Sequence, residues 1–155
     1  MSSLVLYYSY SGNTRKIGEI IQKLTGTAIV EIETVQPYPA DYSACVAQAE
    51  QEVKQGFEPA GRPITVNLDN YDTVYLGTPV WWYTFAPPLR TMLNSNKWAG
   101  KSVYPFATHG GGIGNTFADF QTFCRGADVK NGLEVYFRGT TPQKAETDIK
   151  SWLEA

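Results

Sequence analysis

Two serines, a glycine, an asparagine and a threonine stand together in Ser9-Tyr10-Ser11-Gly12-Asn13-Thr14, after an apolar run and before a stretch with helical periodicity. The first backbone N–H groups of a helix are unpaired and carry partial positive charge, so a segment in this position can bind an anion. The hydroxyls of Ser9, Ser11 and Thr14 add donors, and Gly12 lets the backbone come close. Amides and hydroxyls suffice to solvate a phosphate dianion without lysine or arginine inside the loop, while Arg15 adds long-range attraction. A Walker loop is excluded because no Gly-Lys-Ser/Thr is present, and the dinucleotide fingerprint is absent here. The plainer use of Ser11 or Asn13 is to cap the helix.

Two further segments carry chemistry. Thr78-Pro79-Val80-Trp81-Trp82-Tyr83 concentrates aromatic surface that could wall a flat apolar ring. Successive residues of an extended chain point to opposite faces, so Trp81 and Trp82 cannot both face inward, and at least one should be exposed or ligand-facing. Thr108-His109-Gly110-Gly111-Gly112 continues into Ile113 and Gly114, a permissive loop whose backbone can approach the polar edge of such a ring. Gly112-Ile113-Gly114 is not a nicotinamide-dinucleotide loop, because the third glycine position is Phe117. His109, the single histidine, can donate a hydrogen bond or stabilise negative charge, or be purely structural. Cys45 and Cys124 lack partners at metal-ligand spacing, so buried free thiols are expected and a metal site is not.

The elements that must position these residues follow from periodicity. Apolar, β-branched and aromatic runs mark strands at 4–8, 29–32, 73–76, 103–107 and 133–137. Helical patterns lie at 14–24, 41–55, 88–93, 115–123 and 143–153, the second closed by Gly56 and the last preceded by Pro142. Strict alternation of strand and helix predicts an α/β domain, residues 1–155, with a doubly wound five-stranded parallel sheet and helices on both faces. The order 2-1-3-4-5 is one of the common solutions of that class, and composition does not choose it. The proline-bearing segments 34–40 and 57–70 read as loops within that domain.

With 155 residues, a formal net charge of -2 and no run of Lys or Arg, the chain shows no nucleic-acid footprint. It contains no apolar stretch approaching the roughly 20 residues a spanning helix needs, so a cytoplasmic, non-membrane protein is expected.

Ser9 to Thr14 resembles the FMN phosphate loop of flavodoxins. Tyr71-Asp72, Leu76 to Trp82, Gly100-Lys101 and Pro105 to Gly111 extend the likeness over nearly the whole chain, to short bacterial flavodoxins and flavodoxin-like oxidoreductases. The resemblance implies the order 2-1-3-4-5, FMN at the carboxyl ends of the strands, and a cofactor site. The phosphate would lie at Ser9, Tyr10, Ser11, Gly12, Asn13 and Thr14. The flavin would lie at Thr78, Pro79, Val80, Trp81, Trp82 and Tyr83 on one wall and Thr108, His109, Gly110, Gly111 and Gly112 on the other. It implies electron transfer with a redox partner protein or a small-molecule acceptor; an FMN-dependent NAD(P)H:quinone-type oxidoreductase is the alternative. Many relatives carry glycine soon after the paired tryptophans, permitting a peptide flip on one-electron reduction, whereas this chain has Tyr83-Thr84-Phe85.

Overall fold

The first strand, β1 (Ser3–Tyr7), sends Leu4 and Leu6 into one apolar cluster and Val5 and Tyr7 into another. A strand apolar on both sides must be covered on both faces, and the remaining architecture meets that need. The computed structural model describes residues 2–155. After β1 come α1 (Asn13–Thr25), β2 (Ala28–Glu31), α2 (Tyr42–Gln55), β3 (Thr73–Trp81), β4 (Thr84–Phe85) and α3 (Pro87–Asn94). Then follow β5 (Ser102–His109), α4 (Thr116–Phe123), β6 (Asp128–Val129), β7 (Leu133–Arg138), β8 (Thr141–Pro142) and α5 (Glu146–Glu154).

The five principal strands lie parallel in the order β2-β1-β3-β5-β7, which is the expected 2-1-3-4-5. Three two-residue strands make the sheet larger than the five expected: β4 and β8 fold back antiparallel on β3 and β7, and β6 pairs with β5. Pairs that short leave no periodic trace in the sequence. Ile17 and Ile21 of α1 and Ile149 of α5 cover one face with Phe106, Val135 and Phe137. Leu89 and Leu93 of α3 and Phe120 and Cys124 at α4 cover the other with Val74, Leu76 and Val103.

Several boundaries differ from the sequence reading for identifiable reasons. The sequence reading ends the third strand at residue 76, yet β3 runs on to Trp81. A Cβ on Gly77 would sit 2.2 Å from the Phe106 ring, so glycine here is what lets the strand pass a stacked phenyl. The last helix begins at Glu146, because Thr141–Pro142 first pairs back as β8, an edge position that tolerates proline. The expected stop of α2 holds: Asp41 accepts from Ala44 N–H at 2.9 Å, and Gly56 closes the helix at φ 62°.

Lys101 is buried at the opposite edge from the candidate site, where its ammonium donates to the carbonyls of Leu68 (2.7 Å) and Tyr71 (2.6 Å). It ties the irregular 57–70 segment to β5 without leaving a buried charge unpartnered. Cys45 and Cys124 are buried and unpaired; burial pushes the Cys124 thiol up to about 12, which keeps it out of the reactive thiolate form. At the other edge, β1, β3 and β5 end side by side where the strand order reverses, the position at which open α/β sheets bind ligands.

Candidate functional site

The loop between β1 and α1 is wound around one side chain. The Ser9 hydroxyl oxygen accepts from the amides of Gly12 (3.1 Å) and Arg15 (3.2 Å), and Gly12 completes the turn at φ 98°, a left-handed conformation that favours glycine. Among the described residues, the amides of Tyr10, Ser11 and Thr14 donate to no group of the chain. They are the orphan donors of a thirteen-residue helix and its entry loop, gathered where the helix dipole favours negative charge. The loop is braced from the far edge of the sheet: Asn13 Nδ2 donates to the Gly139 carbonyl (2.9 Å) and Lys16 Nζ to that of Thr140 (3.0 Å).

The basic residue beside the loop is spent elsewhere. Arg15 makes a two-pronged ion pair with Glu31 (2.7 and 2.8 Å) and donates to the Tyr7 hydroxyl (3.3 Å). Its charge is thereby largely cancelled, so the amides carry the anion affinity. Thr14 is buried with its hydroxyl 2.7 Å from that of Thr108. One hydrogen suffices between the two oxygens, which leaves one hydroxyl hydrogen for another acceptor. This contact links the loop to the end of β5.

A second feature opens on the same edge, an open crevice of about 510 Å3 lined by Val80, Trp82, Tyr83, His109, Gly110, Gly111, Gly112 and Gly114. One wall is the tight turn joining β3 to β4, where Trp82 (φ 52°) and Tyr83 (φ 70°) both adopt the left-handed conformation. Two-residue hairpins of this hand prefer Asn-Gly; a bulky residue costs about 1–2 kcal/mol at each such position. Long-range contacts hold the strain: Trp82 Nε1–H donates to the Val46 carbonyl (3.0 Å), and Asn115 N–H donates to that of Tyr83 (2.7 Å). Gly114 is required, since a Cβ there would lie 2.5 Å from the Tyr83 carbonyl oxygen.

His109 shapes the opposite wall. Its Nδ1 accepts from Gly112 N–H (2.9 Å), so the ring proton sits on Nε2, which donates to Glu134 (3.0 Å). Both nitrogens are occupied, and the histidine acts as a strut for the glycine loop; neither nitrogen is free to donate to a ligand.

Trp81 faces away from this crevice. It packs edge-on among Tyr8 (5.7 Å between ring centres), Tyr10 (5.8 Å) and Tyr38 (4.9 Å), and Tyr38 in turn donates to Glu52 at 2.6 Å. Burial and that carboxylate push the Tyr38 phenol well above its ordinary range, so it remains a donor. The Thr78 hydroxyl is fully engaged, accepting from Ala86 N–H (2.9 Å) and donating to the Pro79 carbonyl (2.8 Å). Pro79 pairs with Thr108 across β3 and β5, bringing the two crevice-forming segments into register.

A nest of unpaired amides beside an aromatic- and glycine-walled crevice fits a ligand with an anionic tail and a planar ring. The family model described as Flavodoxin matches residues 2–155. The chain belongs to the flavodoxin family. Its cofactor is accordingly FMN. A Bacteroides eggerthii protein, described as a candidate flavoprotein, is 27% identical, with a TM-score of 0.85 over 99% of this chain and 96% of that one. The Lactobacillus acidophilus flavoprotein solved in complex with FMN is 22% identical, at 0.76 over 98% of each chain. Oxidised flavodoxin 1 from Bacillus cereus is 18% identical, at 0.56 over 99% and 93%. These last two show the shared fold. No curated protein matches the chain.

The orphan amides and left-over threonine hydrogen match the acceptor-rich phosphate of FMN. Glu134, Asn115, Val46, Gly139 and Thr140 support the site but carried no signal in the sequence, because each reaches its partner only through the sheet order or a distant loop.

Proposed function

We propose that the chain is an electron carrier that holds FMN without a covalent link, residues 2–155 acting as one flavodoxin-like unit. The amides of Tyr10, Ser11 and Thr14, with Ser9 as the hub of the loop, grip the phosphate; they are the observation that carries the reading. The isoalloxazine lies between the Trp82–Tyr83 turn and the Gly110–Gly112 loop, with Val80 at its side. When bound, FMN supplies the reversible uptake of electrons. The chain's own residues bind and orient it: the glycine loop brings backbone to the polar edge, and His109 holds that loop in place.

Tyr83 is 70% exposed and Trp82 39%, so the ring-side wall is itself part of the surface that a redox partner protein or a small acceptor would meet. The described helices include none long and apolar enough to cross a membrane, in keeping with a cytoplasmic carrier.

Equilibrium dialysis of refolded apoprotein against FMN, followed by anaerobic titration and an NAD(P)H oxidation assay with a quinone present, tests this. The carrier reading expects one FMN per chain and negligible NAD(P)H turnover. Folded protein that takes up no FMN ends the site assignment, and rapid quinone-dependent turnover replaces the carrier with an oxidoreductase.

A further inference from the structure

The Trp82–Tyr83 turn has a second side. Opposite the ring crevice lies a separate cavity of about 320 Å3 whose walls include Trp82, Tyr83, Phe123, Arg90, Glu52 and Asp119. Its size is at the lower end of the range for small-molecule pockets, roughly 300–1,000 Å3, enough for one or two fused rings.

Arg90 is the unusual member. Its guanidinium lies over the Phe123 ring, with Cζ 4.9 Å from the ring centre, and is slotted against Gly56, where a Cβ would stand 3.2 Å from Nη2. Its Nε is enclosed and has no hydrogen-bond acceptor. Among the described residues, no carboxylate comes within salt-bridge distance of it. The enclosed Nε has no acceptor and is not open to the cavity, so the terminal Nη groups, which donate to no group among the described residues, are the donors a ligand in the cavity can meet, and the Nε–H resonance reports on them.

The carboxylates decide what kind of acceptor fits. Both Glu52 oxygens are committed, to Tyr38 (2.6 Å) and Gln48 (2.8 Å), and one Asp119 oxygen takes the Thr84 hydroxyl (2.5 Å). Two acidic groups against one guanidinium leave the walls negative, so an anionic ligand is repelled as well as attracted. A neutral carbonyl oxygen satisfies Arg90 without adding charge, and a neighbouring N–H on the same ligand can donate to Asp119.

The geometry points to a second small-molecule site, distinct from the FMN crevice and sharing its Trp82–Tyr83 wall, that takes a neutral aromatic carboxamide with its carbonyl on Arg90 and its ring among Trp82, Tyr83 and Phe123.

The test is NMR titration of apo and FMN-loaded protein with 2-naphthamide and, separately, with 2-naphthoate, which has the same rings and a negative charge. The amide should shift the Arg90 Nε–H resonance saturably in both forms, show ring contacts to Phe123, and leave FMN bound; the naphthoate should bind about tenfold more weakly or worse. Arg90→Met should weaken the amide about tenfold while FMN uptake is kept. The wild-type titrations stand alone should that variant fail to fold. The proposal is overturned by no saturable shift in wild type, by naphthoate binding as tightly as the amide, by contacts mapping to other residues, or by displacement of FMN. Because the apo arm needs no flavin, failure here and failure of the FMN reading are separate results.

Discussion

The two ends of the proposed cofactor site are built on opposite plans. The anion-binding end is mostly local: six consecutive residues, one serine hub and one permissive glycine, with amides that donate to no group of the chain and distant braces only at Gly139, Thr140 and Thr108. The ring end is assembled from afar and strained: two bulky residues in the left-handed region, pinned by Val46 and Asn115, face a glycine loop propped by a histidine that answers to Glu134. The contrast teaches that anion binding is available wherever a helix begins after a strand, whereas a slot for a planar ring must be enforced by tertiary structure.

FMN and riboflavin, which differ by the phosphate, separate the two ends experimentally. The largest effect is expected from Gly114→Ala. The added methyl meets the Tyr83 carbonyl and must adopt a positive φ, so the turn is displaced; about 2–4 kcal/mol should be lost from folding stability and both ligands should weaken alike in calorimetric titration. A selective loss of FMN alone would place the ring elsewhere. Next, Ser9→Ala removes the acceptor of two amides and should reduce FMN affinity by about 2 kcal/mol, roughly thirtyfold, while riboflavin barely changes. Equal losses for both ligands would erase the distinction between the ends.

His109→Leu takes away the strut under Gly112 and should cost about 1 kcal/mol for both ligands, read as a parallel shift of the two binding curves. The smallest effect expected is from Tyr83→Gly. Relief of the left-handed strain should raise the melting temperature, by about 1 kcal/mol or less in stability, yet weaken flavin binding through the lost wall. A variant that is both less stable and equally good at binding would show that the turn is neither strained nor part of the slot.

The same contrast explains what the sequence disclosed. The donors of the β1–α1 loop could be listed directly because they are neighbours in the chain, and alternation of strand and helix gave the α/β class, but the sheet order came only from the family resemblance. That the two tryptophans would part was expected from strand alternation, but β3 ends at Trp81 and Trp82 diverges because it sits in the left-handed turn; Trp81 goes to the tyrosines because Tyr8, Tyr10 and Tyr38 arrive from three separate segments. Arg15 looked like a helper for the phosphate, and only the pairing of β1 with β2 brings Glu31 beside it. The tautomer of His109 depended on the register of β5 with β7. Hairpins of two residues, β4 and β8, were below what periodicity can resolve.

The most direct measurement is the amide proton spectrum of isotopically labelled apoprotein as FMN and then riboflavin are added. FMN should move the Tyr10, Ser11 and Thr14 N–H resonances strongly downfield, as amides newly bonded to phosphate do, and riboflavin should leave those three in place while shifting Tyr83 and Gly111. If FMN leaves the three amides unmoved, the start of α1 does not hold the phosphate and the account is wrong.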